Sequence, residues 1–286
     1  MPLPHRNRRK NVNDNRGHLF SSSIDFHALS GCLTNDVASA FMLLTRLPIA
    51  QLVGLGGPPD LARCVWAFPL VGLVVNGLGS LVYWLAYSAG MSPLLAAAWS
   101  MTATTVVTGA LHEDGLADTA DGWGGGATRA RKLEIMRDSR IGTYGVLALL
   151  LSMTLRVAAI AELGRPANVA AALIVAGMLG RGGMLVMIMP LVPARSDGMG
   201  HSLGGFKTRS AWFGLVLATA AVFACLSPQA AFVTIALGFG ASLVFARLAY
   251  TQIGGFTGDV LGASEVVTEC IVLSTVAWHC QISVCL

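Results

Sequence analysis

Val169-Ala170-Ala171-Ala172-Leu173-Ile174-Val175-Ala176-Gly177-Met178-Leu179-Gly180-Arg181-Gly182-Gly183-Met184-Leu185-Val186-Met187-Ile188-Met189 carries a single charge, within a stretch that is apolar from about residue 168 to 192. A helix needs about 20 such residues to cross the hydrocarbon core of a bilayer. Comparable stretches run from about 64 to 89, 93 to 111, 144 to 162, 211 to 227, 229 to 249 and 266 to 284. The 286 residues are 54% hydrophobic and 12% charged, which leaves too few polar side chains to coat a water-soluble globule. The expected fold class is therefore all-α: a polytopic membrane protein of six to seven transmembrane helices in one bundle, with seven preferred. The 33 glycines, many inside the apolar stretches, favour close helix–helix approach in such a bundle.

The net charge of +4 does not point to nucleic acid, because the basic residues gather just outside the apolar stretches. Arg6, Arg8, Arg9, Lys10 and Arg16 precede the first, and Arg129, Arg131, Lys132, Arg137 and Arg140 precede the third. That bias predicts a cytoplasmic N-terminus, with the long polar loops at 112–143, 193–210 and 250–265 on the same side. Residues 1–30 read as a disordered cytoplasmic tail without a signal-peptide core, and 31–286 as a single membrane-embedded domain. Residues 36–56 mix Phe41, Met42, Leu43 and Leu44 with Asp36, Arg46 and Pro48, which suits an interfacial or re-entrant helix better than a span. The six cysteines form no CxxC pair and read as small buried hydrophobes.

The chemistry concentrates in Leu111-His112-Glu113-Asp114-Gly115-Leu116-Ala117-Asp118-Thr119-Ala120-Asp121-Gly122. On a helix, positions 114, 118 and 121 fall within about 60° of arc, so their carboxylates share a face. Like charges so placed repel, and a divalent cation resolves the conflict. All-oxygen ligands favour magnesium or manganese over zinc, and magnesium completes its shell with water and substrate phosphate. Asp114, Asp118 and Asp121 are therefore the expected metal ligands. A solvated helix end is the plain alternative, although it seldom stacks three acids on one face.

Gly122-Trp123-Gly124-Gly125-Gly126 follows, then the basic run. The ending of a Walker A loop is absent, which sets aside an ATP-hydrolysing P-loop. Arg137, Asp138 and Arg140 stand at the same membrane face, where arginine forks suit phosphate oxygens. Gly254-Gly255-Phe256-Thr257-Gly258-Asp259 precedes the last apolar stretch, with Gly262-Ala263-Ser264-Glu265 expected to open it, Ser264 as N-cap or substrate contact, and Glu269 one turn inside. Arg156 and Arg181 lie within apolar stretches and should face the bundle and pair with carboxylates. His201, near Arg195 and Asp197, reads as a loop residue.

Thr45-Arg46-Leu47-Pro48, Pro69-Leu70-Val71-Gly72, the run from His112 to Gly122, Arg137 to Gly145, and Gly254 to Gly262 resemble, in order and spacing, the cobalamin synthase family, the adenosylcobinamide-GDP ribazoletransferases. The resemblance covers most of the chain from about residue 36. It implies attack by the 3′-hydroxyl of α-ribazole, or of its 5′-phosphate, on the cobinamide-bound phosphorus of adenosylcobinamide-GDP, with GMP departing. It also implies Mg2+ at the cytoplasmic face of the inner membrane, the two substrates as partners, and leaves open a homo-oligomer or contact with other corrin-pathway enzymes. Arg46, Arg137, Arg140, Asp138, Gly255, Thr257 and Asp259 are then the expected substrate and phosphate contacts. Asp118 or Asp121, in preference to His112, is expected to take the hydroxyl proton.

Two rivals remain at this level. Asp118-Thr119-Ala120-Asp121-Gly122 matches the opening of the CDP-alcohol phosphotransferase signature, but Gly125-Gly126 replaces its next pair. A cation transporter would want its acids near the bilayer midplane, whereas this cluster lies just beyond an apolar stretch.

Overall fold

The computed structural model describes residues 26–49, 51 and 60–284. Residues 1–25 of the expected tail, and 50 and 52–56 of the ambiguous segment, lie outside the described residues. Among the described residues the chain folds as α1 (Phe26–Leu44), a 3-10 turn (Cys64–Ala67) leading into α2 (Phe68–Ser88), α3 (Pro93–Thr108), α4 (Leu111–Gly125), α5 (Arg129–Ile135), α6 (Thr143–Leu163), α7 (Pro166–Ile188), α8 (Gly198–Ser202), α9 (Thr208–Cys225), α10 (Pro228–Ile253) and α11 (Gly258–Val284). The borders follow local chemistry. Ser92 and Ser227 cap α3 and α10 ahead of Pro93 and Pro228, whose fixed φ starts a helix. Gly254 ends α10 in the left-handed region, with φ 73.

Among the described residues six helices are long and apolar enough to cross a membrane: Cys64–Ser88, Thr143–Leu163, Pro166–Ile188, Thr208–Cys225, Pro228–Ile253 and Gly258–Gln281. The second apolar stretch, expected at 93–111, is shorter than that. α3 stops at Thr108, Gly109 and Ala110 both turn left-handed at φ 65 and 57, and α4 leaves at 87° to α3. A seventh crossing exists only if this bent pair is counted as one. α3 itself packs along α2 and α6 and, at 16 residues, rises about 24 Å. α4 lies outside the spanning segments, turned across the end of the bundle.

The bundle has two inner and several outer spans. The apolar windows of α7 and α11 are 83% buried, whereas those of α6, α9 and α10 are 28% buried and turn most of their surface to lipid. α2 and α7 touch backbone to backbone, where a Cβ on Gly72 would overlap the Gly177 carbonyl. The interhelical polar contacts sort the loops into two ends. Arg46 N donates to Val107 O (2.8 Å), Arg129 Nη2 to Ala194 O (3.1 Å), Arg195 Nη2 to Leu133 O (3.0 Å) and Ala194 N to Phe256 O (2.8 Å). These gather the 107–145, 192–202 and 252–262 segments at one end. At the other, Tyr83 donates to Gly164 O (2.7 Å).

The apolar part of α1, Leu33–Leu44, is too short to span. Asp36 fastens it to the start of α2, accepting from Arg63 Nε (2.6 Å) and Trp66 Nε1 (3.1 Å). The described cysteines Cys64, Cys225, Cys270 and Cys280 are free and buried or half-buried, as their apolar settings imply.

Candidate active site

α4 crosses α6 and the first turns of α11, and small residues set how closely it does so. A Cβ on Gly115 would stand 2.6 Å from the Asp259 carbonyl oxygen, so only glycine permits this contact. The crossing puts α4's acids beside the N-terminus of α11. Asp114 is exposed, Asp118 half-buried and Asp121 buried on α4, while Asp259 is half-buried in the first turn of α11.

Asp121 has a task that the helical spacing does not reveal. Its Oδ2 accepts from Gly142 N (2.7 Å) and its Oδ1 from Gly145 N (2.9 Å), amides at the N-terminus of α6 that have no partner within that helix. It is a cap supplied from another helix, and the negative charge also suits the positive end of the α6 dipole. Asp118 stands among like charges instead. Burial, then Asp114, Asp259 and Asp121, push its carboxyl from 3.8 up to about 7, with Arg195 opposing them. Among the described residues, no three or more His, Cys, Asp or Glu side chains are set to hold an ion as they stand. His112 is buried, its Nδ1 3.8 Å from Glu265 Oε2. Burial, then Arg181, push its imidazole down to about 3, which makes it a weak proton acceptor at neutral pH.

A cavity of about 160 Å³ opens beside these groups, walled by His112 and Asp114 from α4, by Thr257 and Asp259, and by Arg195 and His201 from the 192–202 segment. His201, expected to be a loop residue, and Arg195, named from the sequence only as its neighbour, both line the cavity, His201 from the short helix α8. Arg195 is placed by the 192–195 segment running parallel to Phe256, where Phe256 N donates to Val192 O (3.0 Å). Its Nη1 lies 3.5 Å from Asp259 Oδ2, making it the cation nearest the acids on this wall.

The remaining expected contacts divide. Thr257 lines the cavity and caps α11, its hydroxyl accepting from Val260 N (3.3 Å) and donating to Asp259 Oδ2 (3.2 Å). This corrects the expected start of the last span. α11 begins at Gly258, so Ser264 is buried inside it, and Glu265 and Glu269 lie two and three turns in. Gly255 is buried against Val192 and does not line the cavity. Arg46 is exposed, its side chain lying over Gly109 at the α3–α4 bend. Arg137 Nη2 donates to both oxygens of Asp197 (2.7 Å), itself a cavity-lining residue, and Arg140 pairs with Asp138 (2.6 Å); neither arginine lines the cavity, and both pairs lie at the surface.

Beneath α4 the intramembrane arginines find the partners expected of them. Arg156 reaches Glu113 (2.9 Å) and Glu269 (3.3 Å); Arg181 reaches Glu269 (2.6 Å) and Glu265; Asn76 Nδ2 donates to Glu269 (3.0 Å). Removing one member of such a buried set costs roughly 3–5 kcal/mol, because the others are left charged and unmatched. The network ties α2, α4, α6, α7 and α11 together, and so fixes where α4 sits.

No solved structure matches the chain. Proteins named adenosylcobinamide-GDP ribazoletransferase do: that of Bradyrhizobium diazoefficiens is 46% identical over 242 residues, 85% of this chain and 93% of the relative. Those of Mesorhizobium japonicum and Azorhizobium caulinodans are each 41% identical, over 84% and 82% of this chain and 92% of each relative. The family model described as cobalamin-5-phosphate synthase matches residues 36–277, a range that takes in every cavity-lining residue, and the chain belongs to that family.

Proposed function

We propose that the chain transfers the adenosylcobinamide-phosphate group from adenosylcobinamide-GDP to the 3′-hydroxyl of α-ribazole or of its 5′-phosphate. A new O–P bond forms at the cobinamide-bound phosphorus, the bond to the bridging diphosphate oxygen breaks, and GMP leaves with that oxygen. The reading rests on the names of the relatives and on one structural observation: Asp114, Asp259 and Arg195 line one cavity, and Asp118 stands within reach of their charges.

The donor chemistry there fits magnesium. Burial, then the crowding of Asp114, Asp259 and Asp121, hold the Asp118 proton up to about 7, and a hard cation relieves the crowding. Asp114 and Asp259 would hold the ion, with Asp118 beside them and Asp121 kept for the α6 cap. When bound, magnesium supplies charge neutralisation to the diphosphate and the departing GMP. Arg195, beside Asp259, orients the diphosphate in place of Arg137 and Arg140, which are committed to Asp197 and Asp138. Asp118 takes the hydroxyl proton, for which neutral His112 has too little affinity. The same reading puts the site at the cytoplasmic face of the inner membrane, since Arg129, Arg131, Lys132, Arg137 and Arg140 all lie at its end of the bundle.

The test is GMP release from adenosylcobinamide-GDP plus α-ribazole by the protein in lipid, with magnesium or with chelator. Release should need magnesium and fall about 100-fold or more in Asp114→Asn, Asp259→Asn and Arg195→Ala. Release that chelator leaves intact, or that survives all three substitutions, would reject the assignment.

A further inference from the structure

Outside the active site, an apolar groove of about 580 Å³ lies between α7, α9 and α10. That volume falls within the roughly 300–1,000 Å³ of small-molecule sites. Its walls are Val186 and Met189 of α7, Trp212 and Val216 of α9, and Phe239 and Leu243 of α10. One polar lining residue, Thr219, spends its hydroxyl on the carbonyls of Leu215 (2.9 Å) and Val216 (3.0 Å). The wall is otherwise apolar apart from the indole N–H of Trp212, and α9 and α10 are outer spans, so the groove opens to hydrocarbon.

Its mouth is cationic. Phe239 and Leu243 are four residues apart on one face of α10, and the next position in that series is exposed Arg247, whose guanidinium lies 6.0 Å from the Tyr250 ring centre. From Pro228 to Arg247 the helix rises about 28 Å, close to one hydrocarbon thickness, which brings the charge to the interface. On α9, Trp212 lies on the groove and exposed Arg209 stands three residues before it, at the same end of the bundle. Trp beside Arg at a span's end is the usual composition of a bilayer interface. Three other arginines at this end are engaged by acids: Arg131 by Glu134, Arg137 by Asp197, Arg140 by Asp138. Neither Arg209 nor Arg247 has an acidic partner among the described residues.

We propose that this groove binds one anionic phospholipid, with an acyl chain along the α7–α9–α10 wall and the headgroup phosphate between Arg209 and Arg247. The apolar wall alone would take any lipid, and a guanidinium from each of α9 and α10 would make the site select charge. It is separate from the α4 carboxylates and does not depend on the reaction assigned to them.

Native mass spectrometry of the detergent-purified full chain, supplied with phosphatidylglycerol or with phosphatidylcholine, tests this. One phosphatidylglycerol per chain should be retained, about tenfold or more in preference to phosphatidylcholine. Arg209→Ala combined with Arg247→Ala should reduce retention to the phosphatidylcholine level, and Val216→Trp should expel the lipid with both charges in place. Thermal unfolding like that of the unaltered chain would show that the variants fold. Equal retention of the two lipids, full retention by the double variant, or displacement by millimolar inorganic phosphate would overturn the proposal.

Discussion

A carboxylate packed among carboxylates either keeps a proton or acquires a cation, and Asp118 faces that choice. Its folded-state value of about 7 lies above the 3.8 of an ordinary aspartate, so without metal the folded protein keeps a proton that the unfolded chain releases. Stability of the metal-free protein should therefore fall as pH rises from about 4 to 7, and stay lowered above that. Asp118→Asn removes the burden. In chelator at pH 8 the variant should unfold at a higher temperature than the parent, with the gap closing towards pH 4, and magnesium should raise the parent more than the variant. A variant that is less stable than the parent in chelator at pH 8 would mean that Asp118 is not held against its neighbours' charge. The crowding of Asp114 and Asp118 was legible from their four-residue spacing. Asp259 as a third neighbour was not, because it is 141 positions from Asp118 and arrives only through the α4–α11 crossing at Gly115.

The helices show why a correct periodicity assigns only part of a role. Positions 114, 118 and 121 do sit on one helix, but the start of α6 lies next to Asp121 and takes both of its oxygens. Asp121→Ala should cost about 1–2 kcal/mol of stability, the range of lost helix caps, and Asp121→Asn less, since it keeps one acceptor oxygen. Thermal unfolding measures the loss, and magnesium titration of GMP release separates cap from ligand. If Asp121→Asn leaves stability unchanged yet weakens the magnesium response as much as Asp114→Asn does, Asp121 is a ligand. The start of α11 misled in a related way. Both Thr257 and Ser264 look like caps ahead of an apolar run, and the choice depends on Thr257 being docked beside the 192–195 segment, which no local pattern encodes. Arg195 and His201 were hidden for the same reason.

Across the whole molecule, the apolar stretches and the arginine pairs were readable because lipid imposes them: a span needs length, and an arginine inside it needs an acid. What hydropathy could not show is that the second stretch stops at Thr108 and bends, since Gly109 and Ala110 are as apolar as their neighbours. The bend turns α4 across the bundle end and brings the acids over the α11 N-terminus. It leaves the chain's sidedness unchanged as long as α3 still returns the chain to the active-site end, and that can be measured. On a cysteine-free background, Ser139→Cys and Ser196→Cys, both exposed at the active-site end, should react with a membrane-impermeant thiol reagent from the cytoplasmic side only. Met91→Cys, exposed in the turn between α2 and α3, should react from the opposite side only. If Met91→Cys and Ser139→Cys labelled from the same side, α3 would not cross, and the acids would lie across the membrane from the basic N-terminus. In that case the cytoplasmic substrates of the proposed reaction could not reach them.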